Sequence, residues 1–386
     1  MKKNVCQVVQ WPVHYHAPIY KKLHKLKSIN FTVIYCDNIT LRGYFDRESQ
    51  SKVGWKHKEL LKGYNFVFLK NFFNHNNDRN FLTLINFSIF SHILKNKYDV
   101  VIISGYIGIT YILAIIAAKL SGSKLLFKGE STLRNVKNGM FKTTYLKVFF
   151  SCFDLLFYSC SGNLKFLNAF SKLKLKKYAP CTVDNNFYRN GFKKRKSMRY
   201  KIRQKLGIKK NEIVLLSVGK LYKRKRPLDL LKSVQKVNSN KFCILLVGNG
   251  QQKSEIIKYS KENNIKTILT GHLSSTDVID YFSIADIYLQ LSDYDPSPKS
   301  LNESMNFSLP LIVTKAVGTC DDLVFNGING FKVPVGNINQ ISKAIKKLKQ
   351  SRIRKKMGLN SYKIISRFSI DKHVSSMEEA IKNLYK

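Results

Sequence analysis

Short apolar runs alternate with stretches of helical periodicity along the chain, and the alternation is played through twice. In the first half, the runs at 4–10, 31–35, 65–69, 100–104, 124–127 and 155–160 read as strands, with a basic helix over 21–27 and another helix over 163–170. In the second half, 213–218, 242–247, 267–269, 287–291, 311–314 and 330–333 repeat the pattern, with a helix over 228–237. Strands apolar on both faces and separated by helices predict parallel βαβ units, hence an α/β chain of two doubly wound sheets. Functional loops then belong at the carboxyl ends of the strands.

Two stretches test this division. Residues 100–118 carry no charge and are nearly long enough to cross a bilayer, but Ser104-Gly105-Tyr106-Ile107-Gly108 interrupts them, so strand, turn and buried helix fit better. Residues 189–210 hold eleven Lys or Arg, no acid and few strand signals. They read as a linker plus one helix over 196–206, which places the domains at 1–188 and 189–369.

Three loops of the second half carry candidate chemistry. In Asp295-Pro-Ser-Pro-Lys-Ser-Leu-Asn-Glu303, Ser297 is suited to cap a helix and Pro298 to its first position. The amides of Lys299 and Ser300 then point out of the helix start, where Lys299 opposes the dipole unless an anion docks there. A capped surface helix with an incidental lysine is the plainer alternative. Gly219 to Arg226 places five cations in seven residues at a strand end, as a diphosphate clamp would, or as a solvated charge run. The third loop, Val247-Gly-Asn-Gly, begins like a dinucleotide fingerprint but lacks its third glycine and the acid about twenty residues on, which argues against a nicotinamide enzyme.

In the first half, the loops at 11–18, 104–108 and 128–132 sit at strand ends. Glu130 there is a candidate to meet a substrate hydroxyl, with a loop salt bridge or helix cap as the alternative. His14 and His16 have weaker claims, since a lone loop histidine is commonly surface decoration.

Composition narrows the partners. The formal charge is +43, and residues 1–36 contain no acid, so the surface should attract an anion: nucleic acid, anionic membrane or a phosphorylated small molecule. No nucleic-acid-binding signature accompanies the basic stretches, so no nucleic-acid partner is expected. Lys21, Lys22, Lys25 and Lys27 beside Trp11 and Tyr20 could meet anionic lipid, or form a solvated basic face. Seven cysteines without a CxxC pair read as free thiols in a reducing compartment. The amino terminus breaks its apolar run too early for a signal peptide, so a cytoplasmic protein is expected, peripheral on the inner membrane face if the basic surface binds lipid.

The order of blocks resembles family 4 glycosyltransferases of the GT-B fold. The blocks are Val218-Gly-Lys-Leu with Lys225, Val247-Gly-Asn-Gly, Gly271-His-Leu, Ala285-Asp-Ile-Tyr, the stretch 295–303, Leu309-Pro-Leu-Ile-Val and Asn326-Gly-Ile-Asn-Gly. The resemblance implies two Rossmann-like domains facing across a cleft, the first binding acceptor and the second the nucleotide sugar, with a last helix (about 370–386) returning to the first.

It implies that Lys220 and Lys225 hold the donor diphosphate beside Gly219, Gly248, Lys299, Ser300 and Leu301. Glu303 matches the second glutamate of the family's Glu-x7-Glu motif, which accepts from the ribose hydroxyls, and Asp295 takes the first position in place of the usual glutamate. His16, Gly105 and Glu130 would lie on the acceptor side, with Glu130 also a catalytic candidate. The family's glycine-rich loop after the first strand has no counterpart in 11–18.

The implied reaction is retaining transfer from a nucleoside-diphosphate sugar to a glycan or polyprenyl-diphosphate-linked acceptor, in cell-surface polysaccharide synthesis. It needs no metal or other cofactor, and attack occurs on the face the leaving phosphate departs from. A non-catalytic basic adaptor and a nucleotide-sugar epimerase are the rival readings.

Overall fold

The computed structural model describes residues 2–47, 50–54, 60–72, 81–136 and 139–385. The chain divides into two units. The first comprises residues up to 181 with 370–386, apart from 47–51, and the second comprises 182–369 with that short stretch. The division thus falls before the expected 188/189, because helix Asn185–Arg195 belongs with the second unit. Asp184 caps that helix, accepting from the Phe187 amide at 3.0 Å.

The strands of the first unit are β1 (Lys3–Val9), β2 (Ile29–Tyr35), β3 (Tyr44–Asp46), β4 (Ser51–Val53), β5 (Asn65–Phe68), β6 (Val100–Ile103), β7 (Lys124–Lys128), β8 (Leu155–Tyr158) and β9 (Lys176–Tyr178). Its main sheet is parallel in the order β5-β2-β1-β6-β7-β8-β9, and β3 and β4 pair separately. Alternate side chains of each strand point to opposite faces, so Cys6 and Val8 join one core cluster and Val5 and Val9 the other. Helix Ala17–His24 begins earlier than the expected 21–27, with Pro18 presetting its first turn. The last helix, Ile370–Asn383, packs Val374, Met377 and Ile381 into the first unit's core.

The second unit contributes β10 (Ile213–Val218), β11 (Phe242–Val247), β12 (Thr267–Leu269), β13 (Ile287–Gln290), β14 (Leu311–Thr314) and β15 (Gly330–Val333), in the order β12-β11-β10-β13-β14-β15. Both sheets reverse direction of growth at one point, between β1 and β6 and between β10 and β13. A crevice at such a switch point, beyond the strand ends, is where doubly wound folds bind ligands.

Two arginines of the basic interval 189–210 are structural. Arg199 and Arg203 reach Asp286 from helix Arg199–Lys205, at 2.8 and 2.5 Å, and Arg203 also donates to the Ile284 and Glu212 carbonyls. The Val214 amide donates to the same carboxylate at 2.8 Å, so the group ties this helix to the starts of β10 and β13.

The turn after β11 buttresses the one after β10. Gly248 lies at φ +141°, and a Cβ there would stand 2.0 Å from the Gly219 carbonyl oxygen; one on Gly250 would stand 2.4 Å from that of Leu221. The Leu221 amide donates to Asn249 O, and Gln252 N to Leu221 O, both at 2.9 Å. The two glycines are therefore there for close approach of backbone to backbone.

Two stability outcomes follow. Asp286→Ala leaves Arg199 and Arg203 without their counter-charge and should cost about 3 kcal/mol in urea unfolding. Gly248→Ala should cost at least about 2 kcal/mol, because neither the backbone at Gly219 nor a positive φ can accommodate a side chain cheaply. A shift below about 0.5 kcal/mol in either would contradict the corresponding packing.

Candidate active site

The carboxyl ends of β10 and β13 are fixed by a buried polar chain. The Tyr288 hydroxyl lies 2.8 Å from Gln290 Oε1 and 2.7 Å from Ser300 Oγ, and Ser300 Oγ is 3.2 Å from the Val218 carbonyl. Gln290 Nε2 donates to Ser292 Oγ at 2.7 Å, and Thr314 donates to the Ser292 carbonyl at 2.6 Å. Ser300, expected at the ligand, thus also anchors its helix to both strands.

The cation-rich loop divides into structural and available charges. Arg224 lies over the Tyr294 ring at 4.2 Å and donates to the Tyr294 carbonyl at 3.1 Å. Its own carbonyl accepts from Asp293 N at 2.8 Å. Arg226, with left-handed backbone at φ +53°, donates to Asp229 at 2.6 Å and to Asp293 at 2.9 Å. These two arginines bind the loop to its neighbour.

Lys225 is different: its ammonium pairs with Asp295 across the same two loops, and it lies beside the open face of Gly219, where a Cβ would be 3.9 Å from its nitrogen. Gly219 has φ +150°, which favours glycine, and its missing side chain leaves that approach clear. Lys220 and Lys225 are half-buried at this strand end.

The stretch 295–303 departs from expectation at its start. The helix runs Lys299–Met305, and Pro298, extended at ψ 113°, occupies the capping position, so Ser297 is not the cap. Ser297 Oγ instead accepts from Lys299 Nζ at 3.2 Å. The Asp295 carbonyl accepts from Gly318 N at 2.8 Å, which holds the loop against the turn after β14. Leu301 is wholly buried in the core, where its side chain serves packing, and its amide donates to Pro298 O at 3.1 Å.

Glu303 is buried within the second unit. Burial pushes its carboxyl up to about 7, against the opposing pull of the Tyr188 hydrogen bond and the Lys299 charge. The Tyr188 hydroxyl donates to Oε1 at 2.8 Å. Burial and then the Glu303 charge hold that phenol far above its usual range, so it stays a donor. Tyr188 went unnoticed in the sequence because it comes from helix Asn185–Arg195, remote along the chain and without a local motif.

Asp321 pairs with Lys332 at 2.8 Å, Asp293 with Arg226, and Asp295 with Lys225.

In the first unit, the loops after β1 and β7 approach each other. His16 Nδ1 lies 3.4 Å from the Tyr20 hydroxyl, and Glu130 is near enough to that phenol for its charge to help raise it, after burial and neighbouring tyrosines. Glu130 is flanked by Gly129, whose Cβ would collide with the Phe127 ring at 2.7 Å, and Ser131, whose carbonyl accepts from Asn163 at 2.7 Å. Gly105 has a packing reason of its own, since a Cβ would lie 2.5 Å from the Tyr111 ring. Tyr20, expected beside a lipid-facing lysine face, is buried against Phe31 and Tyr64, and Lys22 pairs with Asp371. Among the described residues, no helix is long and apolar enough to cross a membrane.

Residues 198–364 match the family model for glycosyl transferases group 1. The chain is 25% identical over 319 residues to an Escherichia coli UDP-Gal:alpha-D-GlcNAc-diphosphoundecaprenol alpha-1,3-galactosyltransferase, covering 77% of this chain and 78% of that enzyme. A crystal structure of a glycosyltransferase from Rickettsia africae superposes with a TM-score of 0.77 at 19% identity, covering 100% of this chain and 99% of that one. That of Anabaena HepE in complex with UDP superposes with a TM-score of 0.74 at 17% identity, covering 99% and 100%. Two parallel Rossmann-like sheets, the ordered motif blocks and these likenesses lead to one conclusion: residues 198–364 are a glycosyl transferases group 1 domain on a GT-B fold, and the protein is a glycosyltransferase that uses a nucleotide sugar.

Proposed function

We propose that the enzyme moves a sugar from a uridine-diphosphate donor to a lipid-diphosphate-linked glycan, with retention at the anomeric carbon and without a metal. The observation that carries this reading is the pairing of Lys225 with Asp295 at the β10/β13 switch point, on the same stretch as buried Glu303. The galactosyltransferase relative supports the base and the lipid-diphosphate acceptor. A role in cell-surface polysaccharide synthesis belongs to the same reading.

In this reading Glu303, with one oxygen held by Tyr188, accepts from the donor's ribose hydroxyls. The diphosphate takes Lys225 from Asp295 and lies against Lys220, Lys299 and the helix start. As the bond from the anomeric carbon to the phosphate oxygen breaks, negative charge grows on the diphosphate, and these preset cations stabilise it more in the transition state than in the ground state. The acceptor hydroxyl attacks from the same face, forming the new glycosidic bond, and its proton passes to the departing phosphate oxygen. Asp295, released from Lys225, faces the donor sugar. Glu130 and His16 orient the acceptor.

A panel of UDP-, GDP- and ADP-sugars assayed for turnover tests the reading. UDP-sugar consumption with an anomerically retained product is expected; absence of binding and turnover with every donor would overturn it. Lys225→Ala should lower kcat/KM about 100-fold or more, with the larger part in kcat, as loss of a transition-state contact does. An effect confined to KM would contradict that role.

Proton linkage gives a further test. Because the folded carboxyl of Glu303 titrates at about 7, above its ordinary 4.5, its contribution to stability is full below 4.5 and is lost as pH rises through about 7. Hydrogen bonds from ribose favour the ionised form, so binding should run the other way. UDP affinity measured by calorimetry should rise between pH 6 and 8 with a midpoint near 7. Glu303→Gln should flatten that dependence, and an unchanged pH profile in this variant would assign the titration elsewhere.

A further inference from the structure

We propose that Asp295 is a specificity-determining residue that turns the site against the nucleoside-diphosphate product and in favour of the intact donor, by competing with the product for Lys225. The inference rests on the donor reading above and deepens it. Cations placed to stabilise charge on a departing diphosphate go on holding that diphosphate once the sugar has left. The free terminal phosphate of UDP carries nearly a second negative charge near neutral pH, which its sugar ester does not. A site made of Lys220, Lys225 and Lys299 alone would therefore hold its product more tightly than its substrate.

The loop before helix Lys299–Met305 supplies an opposing charge and keeps it in place. Its backbone is gripped at three successive residues. Asp293 N donates to the Arg224 carbonyl at 2.8 Å, the Tyr294 carbonyl accepts from Arg224 at 3.1 Å, and the Asp295 carbonyl accepts from Gly318 N at 2.8 Å. Asp295 also forms an isolated parallel bridge to Val317, and prolines follow at 296 and 298. One carbon separates an aspartate's carboxyl from its backbone, so with that backbone fixed the carboxylate cannot follow a departing partner into solvent. The Asp295 side chain is 13% exposed. Lys225 is the partner that can move: its flexible stem runs beside Gly219, where a Cβ would stand 3.8 Å from Lys225 Cε.

Transfer of Lys225 to a diphosphate thus strands a largely desolvated carboxylate, and removing one partner of such a pair is strongly unfavourable. What arrives with the diphosphate decides whether the loss is offset. An intact donor brings sugar hydroxyls, which donate to the carboxylate in charge-assisted hydrogen bonds. UDP brings no donor to this position and sets a further negative charge opposite it. The other two acids of this edge do not share the role, because Asp229 and Asp293 are held by Arg226. Once the sugar has passed to the acceptor, Asp295 reclaims Lys225 and the diphosphate is released.

Calorimetry on the full chain without acceptor tests this, using UDP and the UDP-sugar selected by the donor panel. Asp295→Asn keeps the shape of the side chain and removes its charge. The variant should bind UDP at least about fivefold more tightly than the wild type, and the UDP-sugar no more tightly. In steady-state assays UDP should inhibit the variant more strongly by the same factor. A damaged fold cannot account for tighter binding. Asp293→Asn, which removes a charge from the same loop but from the Arg226 pair, should change UDP affinity less than about twofold. A smaller gain for UDP in Asp295→Asn, or a loss, overturns the proposal, as does an equal gain for UDP and the UDP-sugar. An equal gain in Asp293→Asn overturns it too, since the cause would then be net charge. A wild-type chain that binds no UDP defeats the donor reading and this inference with it, whereas UDP binding that Asp295→Asn leaves unaltered defeats this inference alone.

Discussion

Five cations crowded into seven residues repel one another, and the second domain depends on how that repulsion is met. Two unit charges about 4 Å apart near a protein surface interact by about 4 kcal/mol, so the loop from Lys220 to Arg226 could not keep one shape unaided. Asp229 and Asp293 take Arg226, the Tyr222 and Tyr294 rings take Arg224, and Asp295 takes Lys225. The result is a rigid edge that joins the ends of β10 and β13. The arginines supply the rigidity, and Lys225 is the charge that the proposed donor diphosphate would draw from Asp295.

Rigidity elsewhere serves the same edge. Gly248 and Gly250 let the turn after β11 press against Gly219 and Leu221, and the Tyr288, Gln290, Ser292 and Thr314 chain holds the other loop from beneath. Against this, Glu303 is a burial that works against stability: its carboxyl sits in a site that favours the neutral form, with Tyr188 as its hydrogen-bond donor. A fold selected for stability alone would place an apolar residue there, which is why the proposed role for this carboxyl is binding and not packing.

Much of this was legible in the sequence because the signals are local. Apolar strand runs and the glycines after them identified the two doubly wound sheets, and the Asp295 to Glu303 spacing identified a candidate site in the second. What could not be read depends on partners distant along the chain. Nothing near Arg199 or Arg203 announces that their counter-charge is Asp286, and nothing near Tyr188 points to Glu303. The internal partners of Arg224 and Arg226 are hidden for the same reason, since a charge run looks alike whether it faces a ligand, solvent or an internal carboxylate. The start of the 299–305 helix was placed too early, because Pro298 has helical φ but extended ψ, and only ψ distinguishes a first helical residue from a cap. Leu301 stands in a motif that the resemblance places at the donor, and its side chain faces the core.

The central claim is that the β10/β13 edge of the second domain holds the donor's diphosphate and Glu303 its ribose. A crystal structure of the enzyme with UDP tests it most directly. The account predicts diphosphate oxygens against Lys225 and Lys220, the Lys225 to Asp295 pair broken, and the ribose hydroxyls on Glu303 opposite Tyr188. UDP bound away from this edge, or bound there with Lys225 still on Asp295 and Glu303 untouched, would contradict it.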